Sequence, residues 1–356
     1  MFKILDWYIG RTIIATTALC LSTLVGLSAI IKYVEQLKSS GEGNYDALQA
    51  LFYTLLTMPR DIELFFPMAV LLGALIGLGM LATSSELVVM QAAGFSKANI
   101  GGSVLKTAIP IMLLVMMLGE WGAPATQKMA RELRAFSISG GSIVSIRSGV
   151  WAKDGNDFIY IARANGDELQ GVNVWRFDDD KQLKSTLSAK KATYVDENNW
   201  QTEGIVITEF VDNIQVEKSQ VDSLQWQSTI TPDKLSVVTV QPAELALSEL
   251  YSYVKYLKAS EQDASRYDLA LWRKATQPIS VAVMMFVAMS FVFGPLRSVA
   301  MGTRILSGVV AGFGFYIFAE TFGNVSLLYK LHPSFGALFP SAVFLIIAFL
   351  MMRRKF

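Results

Sequence analysis

The sequence predicts a membrane-embedded α-helical bundle of six transmembrane helices with an inserted all-β domain, and three observations predict it. Of the 356 residues 52% are hydrophobic and only 17% are charged, with a positive mean hydropathy, which is outside the range of ordinary soluble domains. The apolar residues gather into runs that approach the length needed for the ~30 Å hydrocarbon layer of a bilayer. Between the third and fourth runs the pattern changes to short alternating segments separated by turn formers.

The first span is Ile13 to Ile31, uncharged and preceded by Lys3 and Arg11. A cleaved signal peptide is the competing reading, but the run is long for one and Lys32, Tyr33 and Glu35 follow in place of a small-residue cleavage site. A polar loop leads to the second span, Phe65 to Ala82. The third, Thr107 to Gly119, is short, contains Pro110 and is bounded by Lys106 and Glu120, so it crosses only if those ends snorkel or sit against protein. Three more spans follow near the C-terminus, Thr276 to Phe293, Ile305 to Phe322 and Phe335 to Met352.

In the intervening region FIYIAR (Phe158 to Arg163), GVNVWRF (Gly171 to Phe177), KKATYV (Lys190 to Val195) and GIVITEF (Gly204 to Phe210) alternate like strands. Turn formers such as Asp154-Gly155-Asn156 and Asp178-Asp179-Asp180 separate them, a spacing typical of a sandwich or barrel. Pro242 then introduces an amphipathic helix, ELALSELYSYVKYLK, which returns the chain to the membrane. The domains read as 1-127 for helices one to three, 128-240 for the β domain, 241-268 for the connecting helix and 269-356 for helices four to six.

Six spans place both termini on one face. Lys3, Arg11, Lys97, Lys106, Arg297, Arg304, Arg353, Arg354 and Lys355 fall on that face, so the termini are expected in the cytoplasm and the β domain outside. Dropping the third span would spoil this agreement.

The loop Ser84 to Lys106 asks for a partner. Thr83 and Glu86 are spaced as a capping box, predicting a short helix through Leu87, Val88 and Met90 until Gly94, after which Ser96 caps the next helix. That helix is too short to cross a bilayer. Its apolar side fits the membrane surface, the underside of the bundle or a groove in another protein.

Several chemistries are excluded or disfavoured. A net charge of +1 supplies no basic surface for nucleic acid. The absence of G-x-x-x-x-G-K-[ST] removes the nucleotide phosphate loop, and Ser139-Gly140-Gly141 is better read as a bend entering the β domain. The single cysteine, Cys20, excludes an intrachain disulfide and a cysteine-built zinc site. His332, the one histidine, precedes Pro333 at a loop-to-helix junction, a poor place for a catalytic triad. No residue cluster resembles a metal site and no cofactor is implied.

Two features concern packing and charge. The spacings Gly73-x-x-x-Gly77 and Gly308-x-x-x-Gly312 let another helix approach closely, within the bundle or from another subunit. Lys32, Arg131 and Arg134 cluster at the outer ends of the first and third spans, with Glu120 and Glu320 at similar depth. They serve either as outer-leaflet anchors or as a cationic rim over an apolar cavity, which suits an amphiphile with phosphates above and acyl chains below.

IIKYVEQLK (Ile30 to Lys38), NYDAL (Asn44 to Leu48), SELVVMQAAGFS (Ser85 to Ser96), KTAIP (Lys106 to Pro110), VWAKDGN (Val150 to Asn156), TPDKL (Thr231 to Leu235), YVKYLK (Tyr253 to Lys258) and FGPLRSVAMG (Phe293 to Gly302) resemble the LptF/LptG permease family. These are the membrane subunits of the ABC transporter that extracts lipopolysaccharide from the Gram-negative inner membrane. The resemblance covers essentially the whole chain. It implies a non-catalytic permease paired with the paralogous LptF over an LptB ATPase dimer, and a jellyroll-like periplasmic domain that passes lipopolysaccharide to LptC and the LptA bridge.

The resemblance also implies that Ser85 to Gly94 is a coupling helix seated in LptB, with Glu86, Leu87 and Met90 as ATPase-coupling residues. It implies that Lys32, Arg131 and Arg134 face the lipid's phosphates, and that Phe65 and Phe66 contact its acyl chains. The last pair has a competing role as interfacial anchors. Two other classes remain open from the residues alone, a mechanotransmission subunit of another ABC system and a membrane-anchored scaffold.

Overall fold

The computed structural model describes residues 4–139, 149–165, 167–196, 198–211, 215–232, 241–294 and 299–353. Gly140 and Gly141, most of TPDKL and the centre of FGPLRSVAMG lie outside them. The order is α1 (Ile4–Leu37), α2 (Ala47–Thr83), α3 (Glu86–Ala92), α4 (Lys97–Met117), a π-helical turn (Leu118–Gly122) and α5 (Ala123–Ser139). Six strands follow: β1 (Val150–Asp154), β2 (Asp157–Asn165), β3 (Glu168–Phe177), β4 (Leu183–Asp196), β5 (Asn199–Val211) and β6 (Gln215–Gln227). After a 3-10 turn (Pro242–Glu244) come α6 (Leu247–Ala259), α7 (Ser265–Ala275), α8 (Gln277–Phe293), α9 (Met301–Leu328) and α10 (Pro333–Arg353).

Five helical stretches are long and apolar enough to cross a membrane, and α7 with α8, bent by 52° at Thr276, makes a sixth when taken as one span. The six spans are longer than their apolar runs. The polar stretch before Phe65, expected as a loop, is the first half of α2. Asp46 caps it in a capping box with Gln49, accepting from the Leu48 and Gln49 amides, and its polar side chains Thr54, Thr57, Asp61 and Glu63 are buried. The helix therefore turns a polar stripe inward, opposite to the usual amphipathic pattern.

The third span is longer than its apolar run, and its charged ends sit against protein as a crossing there requires: the Lys106 ammonium donates to Asp6 of α1 at 3.3 Å. The helical path runs from Lys97, where Ser96 caps the Asn99 amide at 3.1 Å as the spacing predicts, through Pro110 and the π turn to Ile138. Residues 128–139, expected in the β domain, are consequently helical.

The transmembrane core centres on α2. Val70, Leu71, Ala74, Leu75 and Leu78 pack with Ile9 and Ile13 of α1, Ile100 and Val104 of α4, and Val281, Met284, Met285 and Ala288 of α8. Both glycine pairs serve this intrachain packing. A Cβ on Gly73 would lie 2.5 Å from Thr17 Cα, and one on Gly77 3.4 Å from Ile13 Cα, so the pair seats α1. Gly308 and Gly312 face Leu75, Leu72 and Met68, so they seat α9 on α2. Thr16 adds a hydrogen bond to the Gly73 carbonyl at 2.7 Å.

The strands form one antiparallel sheet in sequential order, β1 to β6. Among the described residues it is a single sheet, consistent with the inserted all-β domain expected from strand spacing, and it curls. Ser228 and Thr229, just beyond β6, donate to Asp154 at the end of β1 at 2.7 and 2.5 Å, bringing the two edges of the sheet together at one end. One face carries Ile159, Ile161, Val172, Val174, Leu187, Ala189, Trp200, Ile205 and Trp226 as a buried apolar core, which follows from period-two alternation. β6 escapes sequence reading because Gln215 to Gln227 is largely polar; it is paired along its length with β5.

The sheet is tied to the membrane helices. Tyr256 of α6 and Gln262 donate to the Lys153 carbonyl of β1 at 3.1 and 3.2 Å. Burial raises the Tyr256 phenol above its ordinary range. Below, the Glu120 carboxylate accepts from the Leu247 and Ser248 amides at 2.8 and 3.3 Å, capping the free donors at the start of α6.

Candidate functional site at the two ends of the bundle

At the end of the bundle that carries the sheet, α1, α2 and α5 bring the expected cations to one level, and each finds an intrachain partner. Lys32 donates to Asp61 of α2 at 2.6 Å, and Ser28, one turn earlier on α1, donates to the other oxygen at 3.0 Å. Arg131 lies 3.8 Å from Glu244 and also donates to the Gln127 carbonyl. Arg134 donates to Ser39 at 3.4 Å and stacks over Tyr53 at 5.9 Å. Among the described residues no carboxylate lies within ion-pair distance of Arg134. Glu120 is engaged in capping α6, and Glu320 holds Arg273 at 2.9 Å.

Phe65 and Phe66 part company. Phe65 is half-buried. Phe66 is 1% exposed and belongs to the transmembrane core, so its expected contact with acyl chains is corrected: adjacent residues on a helix point about 100° apart, and α2 turns this one into the bundle.

A buried ion cluster just above Phe65 was missed by sequence reasoning. Glu63 accepts from Arg60 at 3.1 Å and from Lys274 of α7 at 3.1 Å, while Lys274 also reaches the Gly119 carbonyl in the π turn. Gln277 donates to the Glu63 carbonyl at 3.1 Å. Two cations around one enclosed carboxylate thus join α2, the π turn and the bend between α7 and α8, which satisfies the buried charges mutually. The signal was present in TLLTMPRDIELFF, where Thr54, Thr57 and Asp61 recur on one helical face. Reading the segment as a loop hid it.

At the opposite end of the bundle, α2 stops at Thr83 and α3 starts at Glu86. The predicted capping box does not form. Thr83 is still inside α2, donating to the Gly79 carbonyl at 2.9 Å, and the residue before α3, Ser85, takes φ +63° with no side-chain cap. Ser84 donates instead to the Glu86 carboxylate at 2.8 Å. Leu87 and Met90 are buried in the transmembrane core, whereas Val88 and Val89 are 55% and 66% exposed. The expectation that Leu87 and Met90 face an ATPase is therefore corrected; they hold α3 against the bundle. Gly94, at φ +89°, stops the helix as expected.

Arg304 of α9, 3% exposed, donates to the Gly79 carbonyl at 2.8 Å and to Thr83 at 3.3 Å. It was read from sequence only as a cytoplasmic charge. His332 Nδ1 lies 2.7 Å from Ser334 Oγ at the start of α10, and its ring meets the edge of Trp272 of α7 with centroids 6.4 Å apart. Among the described residues no group of three His, Cys, Asp or Glu side chains is placed to hold a metal ion.

This arrangement, a helical bundle with a charged outer end, an inserted sheet and a short inner helix, can be compared with known proteins. The profile described as lipopolysaccharide export system permease LptF/LptG matches residues 7–354. The lipopolysaccharide export system permease protein LptG of Escherichia coli K12 is 50% identical over 356 residues, covering 99% of both chains. That of Haemophilus influenzae is 46% identical over 357 residues, covering 100% of this chain and 99% of its own. The LptF protein of E. coli K12 is 26% identical over 143 residues, 40% of this chain. With its six spans, its inserted sheet and a match that runs from end to end, this membrane protein belongs to the lipopolysaccharide export system permease LptF/LptG family.

Proposed function

We propose that this chain is a transmembrane permease subunit that moves lipopolysaccharide out of the inner membrane, with both termini in the cytoplasm and the sheet in the periplasm. The observation that carries the reading is the end-to-end match to permeases of lipopolysaccharide export. The two other classes, a mechanotransmission subunit and a scaffold, have no comparable support.

In this reading α3 couples the chain to a separate ATPase, an LptB dimer. Val88 and Val89 supply the apolar contact and Glu86 a polar one, since exposed β-branched residues on an aqueous-facing helix need a partner surface. LptF completes the transmembrane cavity. Arg134, Lys32 and Arg131 meet the lipid's phosphates, and the buried apolar face of the sheet offers its acyl chains a route toward LptC and LptA. Exposing a methylene to water costs about 0.8 kcal/mol, so extraction needs both an energy input and a shielded path.

Because Leu87 and Met90 root α3 in the core beside Arg304 and α9, closure of an ATPase pair moves α3 and the inner ends of α2 and α9 together. The cavity narrows and the lipid is driven outward. The test is photo-crosslinking of lipopolysaccharide from positions 32 and 134 in the assembled transporter, with and without ATP. Crosslinks that fall when ATP is hydrolysed are expected; crosslinks that never form, or ignore ATP, would sink the reading.

A further inference from the structure

Asp61 is 3% exposed, and a buried aspartate is costly unless its charge is matched. Its two oxygens are served by two residues of α1 a single turn apart, Ser28 at 3.0 Å and Lys32 at 2.6 Å. The pair is asymmetric: the Asp61 side chain is 4% accessible and that of Lys32 is 33% accessible. The carboxylate is fixed inside while the ammonium, which carries three donors, is reachable from outside. Ser28 would be satisfied by a neutral amide oxygen, so the contribution peculiar to aspartate is its charge.

We propose that Asp61 is the resident counter-ion of Lys32, a specificity-determining position that makes phosphate binding at this lysine an exchange. An anionic lipid phosphate must share the ammonium with Asp61 on arrival, and Asp61 reclaims it on departure. Contact with Lys32 is thereby weaker and more reversible than contact with a bare cation. Arg134, over Tyr53 with no carboxylate within ion-pair distance among the described residues, lacks such a competitor and holds phosphate more persistently. The inference rests on the reading of Lys32 as a phosphate contact.

The test uses the full transporter in lipid vesicles, with a photoreactive residue at Ile31, which is 60% exposed beside Lys32. Phosphorylated and enzymatically dephosphorylated lipopolysaccharide are compared. Asp61→Asn is expected to raise crosslinking of the phosphorylated lipid about threefold to fivefold, the scale of a half-exposed ion pair, to slow its ATP-driven loss, and to leave the dephosphorylated lipid unchanged. Asp61→Glu should restore wild-type behaviour. Ser28→Ala, which removes the hydroxyl donor from Asp61 and leaves its carboxylate to Lys32 alone, is expected to shift crosslinking the other way and decides the matter if Asp61→Asn does not assemble. No phosphate-dependent change in Asp61→Asn, or no fall in Ser28→Ala, overturns the proposal. Lys32→Ala separates the two levels: if it leaves phosphate-dependent crosslinking intact, Lys32 is not a phosphate contact and the underlying reading fails; if it lowers crosslinking while the Asp61 and Ser28 variants behave like wild type, only the counter-ion proposal fails.

Discussion

The guanidinium of Arg304 lies 2.8 Å from the carbonyl of Gly79, at the end of α2 that leads into the short inner helix. Gly79 is part of the fit, because a Cβ there would stand 3.1 Å from the same guanidinium nitrogen. A cation is favoured at this place, where the helix dipole presents its negative end. Arg304→Ala leaves the Thr83 hydroxyl and the α2 terminus without this donor, at a cost of about 1–3 kcal/mol. The expected outcome is a lowered thermal midpoint of the detergent-purified chain and transport that falls further than ATP hydrolysis. Arg304→Lys should recover part of the stability and less of the coupling, since a single ammonium does not reproduce a planar fork.

The short helix α3 has a buried face, Leu87 and Met90, and an exposed one, Val88 and Val89, and the proposed coupling role predicts that they respond differently. Val88→Asp with Val89→Asp is expected to abolish capture of the ATPase while leaving thermal stability within about 0.5 kcal/mol of wild type, as for ordinary surface changes. Leu87→Ala and Met90→Ala should each destabilise the bundle by about 2–5 kcal/mol. Thermal unfolding alongside ATPase co-purification checks both, and equal effects on capture and stability for all four positions would refute the division.

Gly73 and Gly26 offer a matched comparison. A Cβ on Gly73 meets the Thr17 backbone at 2.5 Å, whereas one on Gly26 of α1 meets nothing within 4 Å. Gly73→Ala must push α1 from α2 and is expected to cost about 1–3 kcal/mol. Gly26→Ala should be neutral or stabilising by up to about 1 kcal/mol through helix propensity. Urea-dependent unfolding in detergent of the two variants reads the difference.

Glu120→Gln keeps a hydrogen-bond acceptor at the start of α6 but removes the charge that faces the helix dipole. A loss of about 0.3–1 kcal/mol is expected, visible as faster hydrogen exchange at the Leu247 and Ser248 amides. Glu120→Ala, which removes the acceptor, should open them further. Protection unchanged in both variants would show that this contact does not anchor α6.

Much of this protein is written in one-dimensional patterns. Apolar runs reported the five membrane-length helices and the bent pair α7–α8, because a bilayer demands about twenty apolar residues whatever surrounds them. Alternation in Phe158 to Phe210 reported four strands because one sheet face is buried. The Gly73 and Gly308 spacings reported close helix contacts. The short helix after Ser84 was legible from its stop at Gly94 and the Ser96 cap that follows.

What tertiary structure alone decided is which side of each element meets what. Leu87 and Met90 face inward while Val88 and Val89 face out, because the backbone turn at Ser85 sets the rotation of α3, and that turn is unmarked by any glycine. Phe66 enters the core and Phe65 does not, because α2 begins at Ala47 and its phase is set by packing on both sides. Asp61 meets Lys32, Glu63 meets Lys274 and Arg304 meets Gly79 across 29, 211 and 225 residues of chain. Local periodicity encodes the burial of a stripe, but the pairing of buried charges depends on the relative rotation and height of helices distant in sequence, which only the packed bundle determines.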